Sequence, residues 1–432
     1  MRILFCIIYI FFGIVCGTGK TLAQDTLELS RQECEAIFLK ENLLLIAEKL
    51  EVPKAEAAVQ QARLWPNPNF TLDQVNLWAT KGQTGGQEAV PPLFGSFGRN
   101  QQFGFEVQQL IQTARKRSKL VAVEQVNADK AALGFDELLR NLKVELRKNL
   151  TNLQYLQLRE EIYFNQLASV NQLLKAYQVQ ADQGYIARSE VIRLKALGLG
   201  INRTISEIAR QHNEAQKELK LWLRLAPATL IRVKDAGFVR NIDSLRRYTV
   251  AEITEQARLS RPDLQIAALG ETHARRLIDY EKAKRVPDLA LKGTYDRNGN
   301  TMLNFFGFGI VMDLPLFDRN QGNIRQAQIH ADQSRKLAEY KSSEVENEIA
   351  LAYSNLLNAL QLASKTDSAY EAALDDMLLA HTRNFTNRNM SMLEFLDFMD
   401  AYLENKQIIL EARKAVNDHA EELNYCIGRD LL

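Results

Sequence analysis

The chain has 432 residues, 46% of them hydrophobic and 25% charged, with 54 basic residues against 53 acidic ones. The apolar content excludes intrinsic disorder, and 21 glycines and 9 prolines are too few for a low-complexity linker protein. A net charge of +1 argues against a nucleic-acid binder, which needs a basic surplus to meet phosphate.

Residues 1–24 read as an export signal. Arg2 gives a positive start, Ile3 to Val15 is almost wholly apolar, and Thr21 and Ala23 suit a cleavage site. The apolar run is shorter than the ~20 residues of a spanning helix. Cys16 follows Ile14 and Val15, a poor context for lipidation. Gly17 to Thr21 resembles the end of a phosphate-binding loop, but position 14 is Ile where the motif needs Gly.

The remainder is dominated by helix. No proline lies between 93 and 226, and from Asn323 to Ile427 there is neither Gly nor Pro. Leu139, Leu142, Leu146, Leu150, Leu153 and Leu156 form a stripe at threes and fours, as do Val345, Ile349, Tyr353, Leu356, Leu360 and Ala363. These are coiled-coil-like patterns on very long helices. One helix from Ala114 to about Gln178 is expected to be roughly 100 Å long, so an elongated molecule is expected.

Strand patterns are expected in two places, each just before a long helix: about 69–78 and 101–110, then about 289–298 and 303–313. Alternation is clear at Phe103, Phe105 and Val107, and at Phe306, Phe308, Ile310 and Met312. Each run is about as long as the 9–11 residues of a membrane-spanning strand.

The two halves repeat. Ser30 and Glu33 form a capping box, as do Thr249 and Glu252, 219 residues later. Ala62 and Pro66 recur as Ala283 and Pro287. Beyond the strands the offset settles at 204, pairing Val107 with Val311 and Glu190 with Glu394. The expected organisation is a signal at 1–24, a first repeat at 25–228, a linker at 229–248 and a second repeat at 249–432. Four strands cannot close a barrel, and lipid forbids open edges, so membrane strands require the chain to oligomerise.

No catalytic constellation is visible, and the chain is not expected to be an enzyme. The five histidines are scattered, Cys34 and Cys426 lie far apart in helical patterns, and no metal or cofactor site is expected.

Three motifs carry a family resemblance: Leu64-Trp65-Pro66-Asn67-Pro68, Pro287-Asp288-Leu289, and the run from Pro315 to Ile324 (PLFDRNQGNI). With the duplication, they resemble the TolC-like outer-membrane efflux channels, and the last run is similar to their heavy-metal cation efflux branch. The resemblance implies a mainly α fold with a membrane β-barrel: very long coiled-coil-like helices plus four strands per protomer, and a homotrimer sharing one barrel and a helical tunnel. It further implies an outer-membrane location in contact with lipid, a tunnel in the periplasm, a periplasmic adaptor, and an inner-membrane RND-type pump. The function implied is a passive exit duct for heavy-metal cations. A duct for drugs, proteins or peptides is the alternative within the family, and a periplasmic adaptor or a structural coiled-coil protein are the readings outside it.

The resemblance also assigns residues. Gly184, Tyr185, Ser189, Glu190 and Val191 fall at a first helix-turn tip, and Asn387, Arg388 and Asn389 at a second, where an adaptor docks. Gly184 is expected to reverse the first tip, with Asn387 and Asn389 doing so at the second. Glu394 and Asp397 fall where the family carries acidic rings that narrow the tunnel. Like charges so gathered are expected to raise one another's pKa and to protonate partly in mild acid. Phe385 and Met390 stand where the family prototype has a latch tyrosine and arginine, so that latch cannot form. Arg383 and Arg388 are the available substitutes.

Overall fold

The structure is a computed structural model that describes residues 26–73, 82, 85–86, 102–234, 238, 248–297, 302–366 and 368–430. The expected signal, Cys16, most of the first interstrand loop and most of the 229–248 linker lie outside these residues. In chain order the elements are β1 (Thr26–Leu29), α1 (Arg31–Glu41), α2 (Leu43–Lys49), α3 (Glu51–Arg63), β2 (Asn69–Asp73), β3 (Phe103–Ile111), α4 (Lys116–Asp182), α5 (Arg188–Trp222), β4 (Leu230–Val233), α6 (Val250–Ser260), α7 (Pro262–Lys284), β5 (Leu289–Arg297), β6 (Asn304–Met312), α8 (Gln321–Ala363), α9 (Ser368–Thr386) and α10 (Met392–Ile427). Among the described residues no helix is long and apolar enough to cross a membrane.

The residues form two compact units, each drawing on both halves of the chain. One comprises Met1–Ala47, Glu137–Arg261 and Glu344–Leu432, the other Glu48–Asp136 and Pro262–Ser343.

The first unit is a helical assembly with a small sheet. Its core uses the stripes expected from sequence: Leu146, Leu150, Leu153 and Leu156 of α4 are buried, as are Val345, Ile349 and Leu356 of α8. Each such side chain contributes roughly 2 kcal/mol of burial. β1 and β4 pair in parallel, Thr26 opposite Leu230 to Leu29 opposite Val233. This sheet was not expected. Its strands have four residues each, too few for a period-2 signal, and their partners are some 200 positions apart. Gln216 of α5 secures it, its amide bonding both the carbonyl (2.5 Å) and the N–H (3.0 Å) of Ile231.

The Gly/Pro-free stretch is not one helix. α8 ends at Ala363 and α9 begins at Ser368. Hydroxyl side chains make this break without a glycine or proline. Ser364 Oγ donates to the Gln361 carbonyl at 2.8 Å and Thr366 Oγ1 to that of Ala363 at 3.1 Å, while Lys365 and Thr366 N–H bond only three residues back. Such side chains offer the backbone an alternative to the helix ladder. The flanking ends still keep the sequence offset: α4 ends at Asp182 and α9 at Thr386, and α5 begins at Arg188 and α10 at Met392. The capping boxes at Ser30/Glu33 and Thr249/Glu252 are both formed.

An ion cluster ties three segments of this unit together. Arg147 of α4 is nearly buried and donates to Glu35 of α1 at 2.6 Å, to Glu421 of α10 at 3.1 Å and to Asp430 beyond α10 at 2.6 Å. Lys143 reaches the same Asp430 at 2.7 Å. A buried guanidinium is tolerated here because three carboxylates meet its fork. Cys34 and Cys426 are both buried free thiols.

The second unit contains a four-stranded antiparallel sheet in the order β2-β3-β5-β6. β3, β5 and β6 fall within two residues of the expected limits, and β2 is described over Asn69–Asp73, positions 74–78 lying outside the described residues. Lys116 at the start of α4 bonds Asp288 at 2.7 Å, and Asp288 also accepts the Thr113 N–H at 2.9 Å, which fixes the entry to β5 against the exit from β3.

Burial pushes the Asp430 carboxyl up, but hydrogen bonds from Arg147 and Lys143 outweigh it and hold the group at about 2. Its folded value lies below the ~3.9 of an unfolded aspartate, so its contribution is present above about pH 4 and is lost as pH falls towards 2. With the side chain about half exposed, solvent screening reduces this to about 1 kcal/mol at neutral pH. Asp430→Asn is therefore expected to lower stability by about that amount at pH 7 and to converge with the wild type near pH 2, measured by denaturant unfolding of the helical circular dichroism. Parallel curves for the two proteins across that range would reject the assignment.

Candidate functional site

Two features stand out: the paired helix turns in the first unit and the faces of the sheet in the second.

The two turns are built alike. At the first, Gly184 lies at φ +80°, its N–H bonds the Ala181 carbonyl, and the Tyr185 N–H bonds that of Gln180. At the second, Arg388 lies at φ +62°, its N–H bonds Phe385 and the Asn389 N–H bonds Asn384. Each is a Schellman closure in which one left-handed residue satisfies the last carbonyls of the helix. All four bonding positions of one turn map onto the other at 204. Arg388, not Asn387 or Asn389, takes the left-handed conformation, since position in the closure rather than residue preference decides which residue must adopt it. A non-glycine residue there costs about 1–2 kcal/mol. The Arg388 guanidinium partly offsets this by donating to Gln180 Oε1 of α4 at 2.7 Å.

Beneath the turns lies an aromatic stack. Phe385 is buried between Tyr177, with ring centres 5.0 Å apart, and Phe395, at 4.3 Å. A hydroxyl at Phe385 would need a partner in this apolar slot, which accounts for phenylalanine there. Val191 is also buried; it matches Phe395 at offset 204 and belongs to the packed stripe, not the outer surface. Glu190 is half-buried. Gly184, Tyr185, Ser189, Asn387, Arg388 and Asn389 are exposed.

Glu394 is engaged locally. Its carboxylate accepts from the Ser391 N–H at 2.9 Å and the Ser391 hydroxyl at 2.7 Å, while Ser391 Oγ accepts the Glu394 N–H. This is a third capping box, legible as Ser-x-x-Glu but not singled out in the sequence reading. The bond from the Ser391 backbone, then that from its side chain, hold the Glu394 carboxyl below the usual carboxylate range. Within one chain the shift is thus opposite to the rise expected for a crowded ring. Asp397, three residues on, is exposed. Asp400 and Glu404 extend the acidic series and, with Glu411, line one wall of a groove of about 870 Å³ whose other wall includes Arg193 of α5. The spacing Glu394, Asp397, Asp400 was the available signal for this longer acidic strip.

The sheet has two unlike faces. Register places Leu72, Phe105, Tyr295 and Phe306 side by side, and Phe70, Val107, Gly293 and Phe308 in the next row. The alternate rows carry Thr71, Glu106, Thr294 and Gly307, with Lys292 forming an ion pair to Glu106. The apolar face is open: Phe306 and Ile310 are each 70% exposed and Phe308 95%. Both outer strands, β2 and β6, end the sheet. Among the described residues no group of three or more His, Cys, Asp or Glu is placed to hold a metal ion.

Comparison with known proteins identifies the architecture. Residues 253–429 match the family model described as outer membrane efflux protein. The chain is 22% identical over 331 residues to the cobalt-zinc-cadmium resistance protein CzcC of Cupriavidus metallidurans, covering 76% of this chain and 71% of that protein. The solved structure of CusC, reported for the changes accompanying folding and transmembrane channel formation, superposes with a TM-score of 0.71 at 18% identity, over 93% of this chain and 92% of that one. The Campylobacter jejuni CmeC outer membrane channel gives 0.73 at 13% identity, over 93% and 87%.

Removing the strain at Arg388 tests the turn. In a Gln180→Ala background, Arg388→Gly is expected to stabilise the protein by about 1 kcal/mol, and Gly184→Ala to destabilise the wild type by a similar amount. Both are read from the thermal midpoint of helical circular dichroism. A loss of stability on Arg388→Gly in that background would show that the left-handed residue is not strained.

Proposed function

We propose that this chain, which belongs to the outer membrane efflux proteins, is the outer-membrane exit duct of a tripartite efflux assembly. It is a transport protein, not an enzyme. The observation that carries the reading is the two-faced sheet with an exposed apolar face and two open outer strands. In water such a surface is an aggregation hazard. In a bilayer the same apolar face meets lipid and the polar face, with its Glu106–Lys292 pair, meets a water-filled lumen. Lipid tolerates no unpaired strand edge, so β6 of one copy pairs with β2 of the next until the ring closes. Three copies of four strands make twelve, with the helices continuing as a periplasmic tunnel.

The two halves, 25–228 and 249–432, arose by duplication. Support comes from the common offset of helix ends, capping boxes and Schellman turns. The exposed tip residues Tyr185, Ser189, Arg388 and Asn389 serve as the docking surface for a periplasmic adaptor that couples the duct to an inner-membrane RND-type pump. The cargo is heavy-metal cations, on the likeness to a cobalt-zinc-cadmium resistance protein and to CusC. A duct of this kind holds no resident ion, and the cation passes as substrate.

Two measurements test this. In cell fractionation the protein is expected in the outer membrane as a trimer that survives in detergent below its melting temperature; a monodisperse monomer in the soluble periplasm would end the proposal. The acidic strip is expected to narrow the tunnel. In planar bilayers the channel is expected to be cation-selective and blocked by divalent or trivalent cations from the periplasmic side. Because Glu394 is held in its cap, Asp397→Asn alone should remove most of the block, and Glu394→Gln with Asp397→Asn the rest. Unchanged selectivity and block in the double variant would move the constriction elsewhere.

A further inference from the structure

From the end of β6 the apolar stripe continues into the turn before α8. Phe306, Phe308, Ile310 and Met312 are followed at the same spacing by Leu314 and Leu316, both exposed, and then by Phe317, 93% exposed. The turn is held rigidly. Asn320, at φ +57°, donates through Nδ2 to the Glu281 carbonyl at 2.8 Å and its carboxylate at 2.7 Å, and its N–H bonds Asp318 at 2.8 Å. Gln321 Nε2 donates to the Phe317 carbonyl at 3.3 Å. Phe317 is therefore presented to the outside by a fixed backbone, not by a wandering loop.

Around it stand four cations. Lys282 and Arg285 come from the end of α7 and the residue following it, and Arg319 and Arg325 from the two sides of the start of α8. They line two adjoining hollows of about 510 and 370 Å³ that hold no carboxylate. Among the described residues none of the four forms an ion pair, and the nearby Glu281 is already bonded to Asn320 and Lys284. The helix dipole accounts for cations at the end of α7, but Arg319 and Arg325 flank a helix start, where it disfavours them, and the first turn of α8 holds no acid to compensate. Fold stability thus gives no reason for this cluster.

We propose that Lys282, Arg285, Arg319 and Arg325 bind the headgroup of an anionic phospholipid, with Leu316 and Phe317 seated among its acyl chains. The inference rests on the sheet being membrane-embedded. Charge complementarity selects the occupant: cations collected beside exposed apolar side chains, at the end of an apolar sheet face, match a headgroup phosphate lying just above hydrocarbon. Arginine suits this role because its planar fork meets phosphate oxygens in pairs.

The test uses the purified full-length chain in detergent, titrated with phosphatidylglycerol or phosphatidylcholine and read by native mass spectrometry. The wild type is expected to retain phosphatidylglycerol at least about tenfold better. Replacing all four cations by glutamine should abolish the preference. Replacing the three arginines by lysine should keep most of it. No preference in the wild type, a preference that survives the glutamine changes, or displacement of the lipid by equimolar inorganic phosphate would each overturn the site. If the glutamine protein fails to fold, the wild type and the lysine protein decide the question alone. Flotation with pure phosphatidylcholine vesicles separates the two readings. Both proteins are expected to float. If the wild type does not, the membrane placement and the site fall together; if it floats but shows no preference, only the site falls.

Discussion

An apolar sheet face and two unpaired strand edges are what this chain cannot resolve alone. Among the described residues β2 and β6 have no outer partner, and the row from Phe306 to Met312 is left exposed. Each unmet backbone group is tolerable in water and costs several kcal/mol in hydrocarbon. On the membrane placement proposed above, the sheet requires both a lipid solvent and further copies of itself. Neither demand is placed on the first unit, whose leucine and valine stripes are already buried within it. The division of labour is visible in the residues: β-branched and aromatic alternation in the open sheet, heptad-like stripes where helices meet helices.

The helix turns show a second constraint, that a long helix must be stopped without spoiling the one that follows. Both turns use the same pair of hydrogen bonds and one left-handed residue, yet one is glycine and the other arginine. The same exchange recurs at the opposite ends of the paired helices. Arg224 at φ +53° closes α5 and Gly428 at φ +86° closes α10, again 204 apart. A Cβ on Gly428 would sit 3.1 Å from the buried Arg261 side chain, so glycine is required there by space as well as by φ. Arg224 meets no such crowding and tolerates its strain at the surface. Geometry is thus kept at all four positions, and the residue is free to vary only where a side chain has somewhere to go.

Much of this was legible in the sequence. The leucine stripes, the strand alternation and the Ser/Thr-x-x-Glu boxes are short-range signals, and the structure places each close to where its spacing puts it. What escaped depends on contacts the spacing does not encode. The β1–β4 pairing joins four-residue segments across the chain. The break after Ala363 is made by serine and threonine hydroxyls in place of glycine or proline. Arg388 holds a conformation that its residue type disfavours. Val191 reads as part of a turn motif but is fixed by its equivalence to the buried Phe395. The tip motif covers only Glu394 and Asp397, while the helical period carries the acidic strip on to Asp400 and Glu404.

The run from Pro315 to Ile324 is the part of the sequence that resembles the heavy-metal branch of the family. In the structure its polar residues fix the turn. Asn320 bonds Asp318, Asn323 and Glu281, and Gln321 bonds the Arg319 N–H and the Phe317 carbonyl. The run thus fixes the way a strand is handed to a helix at the edge of the sheet. Nothing in those bonds is selective for an ion. The case for metal cargo therefore rests on the likeness over most of the chain and not on the bonds of this run. In the duct proposed above, choice of cargo would be exerted where solute is bound and released, upstream of the tunnel and at the acidic strip.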